Sequence, residues 1–397
     1  MKRIRPFALL VSAFVLLVAS YALLMTSYVR IPGKLEGADF LMFYSVGRVA
    51  RQFGLHQVYN LELESIAQAQ TVGVSPGMWQ TLLPNHPPFI FPFLEYLAGL
   101  NYRTAYFGYA ILLVFLAAAG LPALYQTLRR NLWPRSQAWI VLAGAILFEP
   151  LFISVLKGQD SAVLLLGGLL WFSGLVRDDD RLAGLGLSLT LIRPQIALLL
   201  AIPFLFRRRK VFVWFCVGGL VLGLYSFALV GWAGSKDFLR VITLSAGGEG
   251  YGLAETAMFN FTGLALRLAP GLSSNLVHTL GWGLFTVVLC GLCIVWGLSK
   301  SIGYRHIALV GTLSLFAAPH LHYHDLVLLL IPVLGLAIVL VTTGRLTVQR
   351  TAILPMLASI LLLFSEFWDP ARFSIPYFLM VALPVFTWMV EKRYEAG

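Results

Sequence analysis

The chain has 397 residues, 59% of them apolar and only 12% charged, with a mean hydropathy of +0.82 and a formal net charge of +11. An ordinary soluble domain carries about 25% charged residues, so a soluble globular fold is excluded, and no stretch is left that can build a soluble nucleotide-binding domain. The positive charge does not mark a nucleic-acid partner, because the basic residues sit in short turns between apolar stretches and form no basic domain.

About twelve apolar stretches divide the chain, at roughly 7–28, 102–128, 137–156, 161–176, 182–192, 195–206, 211–232, 276–299, 306–319, 325–343, 351–365 and 374–390. Most approach the ~20 residues that cross a hydrocarbon core. The first follows Lys2, Arg3 and Arg5. It is longer than the apolar segment of a secretory signal and reads as a retained anchor. Residues 29–101 form a long loop that opens with Gly37, Asp39 and Phe40. A helix is expected from there to Gly54, with Phe40, Phe43, Tyr44 and Gly47 on one face and Arg48 and Arg51 turned away. A second helical piece covers 61–70, and Pro84, Pro87, Pro88 and Pro92 punctuate an apolar run at 89–100 that is too short to span. That run reads as a re-entrant or interfacial element.

The stretches 182–192 and 195–206 are short and flank Arg193-Pro194, which predicts two half-length or broken helices meeting at a polar point. Such breaks at depth survive only where protein or a water-filled cavity receives the freed backbone groups. A second long loop, 233–275, contains Gly247-Gly248-Glu249-Gly250-Tyr251-Gly252. It lacks the Lys-Ser/Thr ending of a phosphate-binding loop and reads as a flexible lid or connector. Cys216, Cys290 and Cys293 fall inside apolar stretches, which predicts core packing for them and not a redox or metal pair. The whole of 1–397 reads as one multi-pass membrane unit with two long loops on the same side.

Charge gives the sidedness. Lys2, Arg3, Arg5, Arg129, Arg130, Arg135, Arg177, Arg181, the run 207–210, Lys300, Arg305, Arg345, Arg350, Lys392 and Arg393 fall on one side of the alternating spans. These are 18 of the 29 Lys and Arg, accompanied by 5 of the 18 Asp and Glu. The positive-inside rule makes that side cytoplasmic, with both termini inside. The polar residues able to do chemistry then collect on the opposite face.

Asp39 begins a helix, where it can act as an N-cap or as a general base for an attacking hydroxyl. His320, His322 and His324 surround Tyr323 where a span begins; they can be metal ligands, phosphate or substrate contacts, or solvated interfacial residues. Asp325 is a helix cap or an ion-pair partner. Arg193 lies on the face where topology supplies few positives, and a charge near membrane depth is costly and usually functional. A guidinium fork there can bind a phosphate by two parallel hydrogen bonds. Lys157, before Gly158-Gln159, supplies a second positive charge or snorkels to the interface. An outward-facing enzyme meets no nucleotide pool, so its substrate arrives on lipid or from outside.

In this order the pieces resemble glycosyltransferase family 87, the polyprenyl-phosphate-mannose-dependent group with the GT-C architecture. The matching residues are Asp39-Phe40 with Phe43-Tyr44 and Arg48, then Gly54 and Tyr59; Pro87-Pro88-Phe89; Gly158-Gln159; Arg193-Pro194-Gln195; and Pro319 followed by the run into Tyr323-His324-Asp325-Leu326. The resemblance covers about 37–335. It implies an all-α integral membrane bundle of about twelve transmembrane helices, with a large first extracytoplasmic loop bearing short helices. It also implies inverting transfer of a sugar, mannose by family habit, from polyprenyl phosphate to an acceptor hydroxyl. The setting would be the outer face of a bacterial cytoplasmic membrane, in cell-envelope glycan or glycolipid biosynthesis.

By resemblance Asp39 is the base, and Arg193, His322, His324 and Lys157 hold the donor phosphate. Phe40, Tyr44, Arg48, Asn85, His86, Gln159, Asp160, Gln195, His320, Tyr323 and Asp325 line the substrate cavity, with Asn85 and His86 near the acceptor. The partners implied are the lipid-phosphate sugar donor, a lipid-linked or glycan acceptor and membrane lipids, with no nucleic acid. Phosphate is already a good leaving group, so no cofactor is required and only positive donors are needed to stabilise developing charge; a divalent metal stays an open alternative. Arg193 stands where a Lys-Pro-Gln type of triplet is usual, and Asp160 where an uncharged polar residue is expected. Two rivals stand beside this reading: a GT-C transferase of another lipid-linked sugar, such as a pentose or aminosugar, and a non-catalytic lipid or glycan transporter or flippase. A transporter would usually show inverted repeats with paired broken helices, and the first half of the chain has no convincing second copy.

Overall fold

The computed structural model describes residues 6–31, 33–35, 39–75, 80–246 and 255–395. Gly37 and the glycine-rich run 247–252 lie outside the described residues. The chain is helical. In order come α1 (Pro6–Arg30), α2 (Phe40–Phe53), α3 (Leu61–Val72), α4 (Phe91–Leu97), α5 (Tyr102–Ala119), α6 (Leu121–Arg130), α7 (Arg135–Ile146), α8 (Glu149–Lys157), α9 (Ser161–Val176) and α10 (Asp180–Leu189). Then follow α11 (Pro194–Ala201), α12 (Arg209–Ala246), α13 (Phe261–Leu268), α14 (Ser274–Leu298), α15 (Tyr304–Ala317), α16 (Leu330–Thr342), α17 (Val348–Thr351), α18 (Leu354–Phe367) and α19 (Asp369–Glu395).

Each of the twelve apolar stretches is helical, and among the described residues eight of the resulting helical segments are long and apolar enough to cross a membrane. The other four, α9, α10, α11 and α15, run 16, 10, 8 and 14 residues. Their shortness follows from their place. They pack inside the bundle, where a helix needs only to satisfy its neighbours and has no lipid thickness to match. Small residues let α9 and α10 come together almost backbone to backbone: a Cβ on Gly186 would lie 2.5 Å from the Trp171 amide nitrogen, and one on Gly174 would strike the backbone of Ala183. By contrast, α12 and α14 carry Leu224, Ile294 and Val287 at 61–67% exposure. An apolar outer surface of this kind requires lipid around it, so the chain is a multi-pass membrane protein.

Two local expectations change. The apolar helix 211–232 does not stop there; α12 continues to Ala246 through a kink at Gly231 (φ 65°, ψ −169°), a conformation open to glycine. The cysteines are not core residues. Cys216 and Cys290 are exposed and Cys293 half-buried, because an apolar membrane helix has an outward face as hydrophobic as its inward one. The run 89–100 forms the short helix α4, on which α2 lies so closely that a Cβ on Gly47 would strike the Leu94 carbonyl.

The basic turns are tied to one another. Arg208 pairs with Asp180 at 2.6 Å and Asp178 at 3.5 Å, and Arg130 donates to the Arg177 carbonyl at 3.4 Å. Arg207 reaches the Lys300 carbonyl. Glu391 accepts the Tyr304 and Arg305 amides at 3.1 and 3.0 Å, an anion at the N-terminus of α15. Turns spread over 260 residues of sequence therefore share one end of the bundle.

Candidate active site

A cavity of about 460 Å³ opens among α2, α8, α11, α12, α14, α18 and the connection between α15 and α16. Its walls include Asp39, Asn85, His86, Lys157, Gln159, Arg193, Gln195, His320, His322, Tyr323, His324 and Asp325. Residues separated by nearly three hundred positions in sequence thus meet in one space.

Asp39 is the residue before α2, and its side chain makes no cap bond. It is half-buried, and its carboxylate accepts no hydrogen bond from the described residues. The turn that faces it is set by Gly158, which ends α8 in the left-handed region (φ 70°, ψ 40°). A Cβ there would lie 2.5 Å from the Phe40 Cβ, so glycine is needed both for the backbone angle and for the contact. That contact brings Asp39 to the same cavity wall as Lys157, which is exposed and has no hydrogen bond or ion pair among the described residues. Asp39 and Lys157 are among the charges that act on His322, and all three side chains line the cavity at this point. Gln159 is buried, and its side-chain carbonyl oxygen has no partner.

Under this point lies a buried ion network. Arg193 is 8% exposed. Its Nε donates to Asp325 Oδ1 at 3.0 Å, its Nη2 to Asp160 Oδ1 at 2.9 Å and its Nη1 to the Ile192 carbonyl at 3.2 Å. Asp325 Oδ1 also accepts from Ser161 Oγ at 3.1 Å, and its Oδ2 accepts the His322 amide at 3.4 Å. His86 Nδ1 lies 2.7 Å from Asp160 Oδ2 and 3.2 Å from Arg193 Nη1, held between the carboxylate and the guanidinium. Burial alone would raise the pKa of Asp160, but the Arg193 guanidinium and then His86 hold it well below the usual carboxylate range. Burial pushes His320 and His322 below the usual imidazole range, leaving both neutral near pH 7. The three rings form a file, with centroids 4.7 Å apart for His320 and His322 and 5.8 Å for His322 and His324. Among the described residues, no three His, Cys, Asp or Glu side chains converge as a metal-ligand set.

Four residues expected in the cavity lie elsewhere. Phe40 and Tyr44 pack with Tyr102, and the Tyr44 hydroxyl donates to the Leu100 carbonyl at 2.8 Å. Arg48 reaches back to Thr71 at 3.0 Å and Gln70 at 3.1 Å on α3. Asp160 sits behind the wall, under Arg193. Arg193 does line the cavity, but three of its N–H donors are engaged, so it presents no free fork to a phosphate. Gln195 donates to the His320 carbonyl at 3.0 Å, and Asn85 to Ser245 Oγ at 2.9 Å. Sequence reasoning missed Ser245, Glu255, His278, Trp282 and Glu366. His278, Trp282 and Glu366 line the cavity, and Glu255 binds His278 behind it. Apart from Glu255, which lies in the second long loop, their only signal was a polar or aromatic residue near the end of an apolar helix, which is too common to single them out.

Glycosyltransferase family 87 matches residues 85–319, more than half of the chain. The chain belongs to glycosyltransferase family 87. It is therefore a glycosyltransferase, and the transporter reading gives way. No curated relative matches it. The matched segment includes Asn85, His86, Lys157, Gln159 and Arg193. Asp39 and the run 320–325 lie outside it, and the fold brings them to the same cavity.

Proposed function

We propose that this family 87 glycosyltransferase moves a sugar, mannose, from polyprenyl phosphate to an acceptor hydroxyl, with inversion at the anomeric carbon. The observation that carries the reading is the contrast among the carboxylates of one cavity. Asp160 and Asp325 are both bonded to Arg193, and of the two lining carboxylates left without a hydrogen bond among the described residues, Asp39 and Glu366, it is Asp39 that acts together with Lys157 on His322. A free base opposite a free cation is what the step needs. The acceptor oxygen attacks the anomeric carbon and its proton passes to the Asp39 carboxylate. The bond from that carbon to the phosphate oxygen breaks, and polyprenyl phosphate leaves with the electron pair. Lys157 and the N–H groups of neutral His320 and His322 stabilise the charge on that oxygen. His324 lines the same wall. Arg193 is a positioning residue that fixes the loop bearing His322 through Asp325. The chemistry requires no cofactor.

The tied basic turns at one end of the bundle support an extracytoplasmic cavity, with both termini cytoplasmic, in a bacterial inner membrane. The acceptor is then lipid-linked or a glycan of the cell envelope. The test is transfer from radiolabelled polyprenyl-phosphate mannose into membrane extract by purified protein. D39N should lower turnover roughly 10²–10⁴-fold while the donor still binds. Efficient use of a soluble nucleotide sugar would overturn the donor class, and full activity of D39N would remove Asp39 from its role.

A further inference from the structure

The wall of the cavity contributed by α14 and α18 has no part in the transfer step. His278, Trp282 and Phe285 follow at spacings of four and three, so they share one face of α14, and all three line the cavity. Glu366, near the end of α18, joins them there, half-buried and without a hydrogen bond among the described residues. The indole of Trp282 is 42% exposed and is braced edge-on by Phe285, with ring centroids 5.7 Å apart. The His278 ring is held in place. Its Nε2 lies 2.5 Å from Glu255 Oε1, and the other oxygen of Glu255 accepts from Ser274 Oγ at 2.9 Å. That leaves His278 Nδ1 for a ligand.

A flat aromatic surface with an imidazole one turn before it, in a cavity that Glu366 also lines, matches a sugar ring, whose C–H face is apolar and whose rim is hydroxylated. It does not match a phosphate, because Glu366 and Glu255 repel an anion while Lys157 serves the other wall. A lipid tail fits poorly too, since it leaves His278 Nδ1 and Glu366 without partners in a dry site. An interfacial tryptophan anchor would face outward, yet this indole faces the same cavity as His278. Resting on the transferase reading above, we infer that Trp282, His278 and Glu366 hold the sugar ring of a glycosylated acceptor. Trp282 stacks on the ring while Glu366 and His278 take its hydroxyls.

The experiment uses the full chain in lipid nanodiscs without donor, titrated with methyl α-D-mannopyranoside and, as the sugar-free probe, cyclohexanol. Binding is read by saturation-transfer NMR. Ring protons of the mannoside should saturate and those of cyclohexanol should not. W282A should weaken the mannoside about tenfold, W282F should keep most of the affinity, and E366Q should fall between them. The phenylalanine variant, with unfolding temperature measured for each protein, separates loss of the platform from loss of the fold. Saturating polyprenyl-phosphate mannose should leave the mannoside bound. Its exclusion would give the subsite to the donor sugar and overturn the acceptor assignment, as would equal affinity in W282A and the parent chain or no mannoside binding at all. Failure of polyprenyl-phosphate mannose to bind would sink the donor reading alone, because the titration contains none.

Discussion

Arg193 shows how a residue can be conspicuous in sequence for one reason and used in the fold for another. A cation at a break between apolar helices invites an anionic ligand, but the fold supplies its own anions, Asp160 and Asp325. Removing one partner of such a buried set leaves the others uncompensated, at about 3–5 kcal/mol. R193A is therefore expected to lower the unfolding temperature by several degrees together with activity. R193K should recover only part of the loss, since an ammonium lacks the planar fork that bridges two carboxylates. Thermal unfolding and the donor KM measured side by side decide the role. A raised donor KM at unchanged unfolding temperature would show that Arg193 binds the phosphate after all.

At the scale of elements, the position of Asp39 depends on how α2 is held. One face rests on α4 at Gly47, and the Gly158 turn meets its first residue. Another contact runs to α3, where Ser45 Oγ donates to the fully buried Glu64 Oε2 at 2.6 Å. Gln68, one turn further along α3, exchanges two hydrogen bonds with the backbone of Leu82 at 2.9 and 2.8 Å. That ties the cavity-lining segment to the same helix. Burial raises the pKa of Glu64 from 4.5 to about 8, although Ser45 and Gln68 pull it down. The folded state thus keeps a proton that the unfolded chain releases between those values, and stability falls as pH rises from 4.5 to about 8, then levels off. E64Q keeps the shape without the ionisation. It should unfold at a temperature that depends less on pH across this window, and at pH 8 should match or exceed the parent. Identical slopes for the two proteins would mean that Glu64 does not titrate there.

For the molecule as a whole, the bundle separates two kinds of polar residue. The basic turns gather at one end through the Arg208, Arg207 and Glu391 contacts, while the cavity gathers Asp39, Lys157 and the histidines. Reporter fusions should place residue 209 in the cytoplasm and residue 90 outside it. The reverse result would invert the sidedness and with it the choice of a lipid-borne donor.

Hydrophobic periodicity and charge in the sequence were enough to fix the helical class, the apolar stretches and the side on which basic turns fall. Each depends on local composition that no packing can reverse: a long apolar run must be helical in lipid. The residues that came to share the cavity wall were also legible, because Asp39, Lys157, Arg193 and the 320–325 run stand out as polar groups at helix ends. What each of them touches was not legible. Whether Arg193 faces a ligand or two carboxylates, whether Arg48 turns to the cavity or to Thr71, and which faces of α14 and α18 bring His278, Trp282 and Glu366 inward all depend on the rotation and approach of helices far apart in sequence. An apolar helix carries little record of that rotation, since its lipid-facing and core-facing sides are equally hydrophobic. Only the packed bundle selects one.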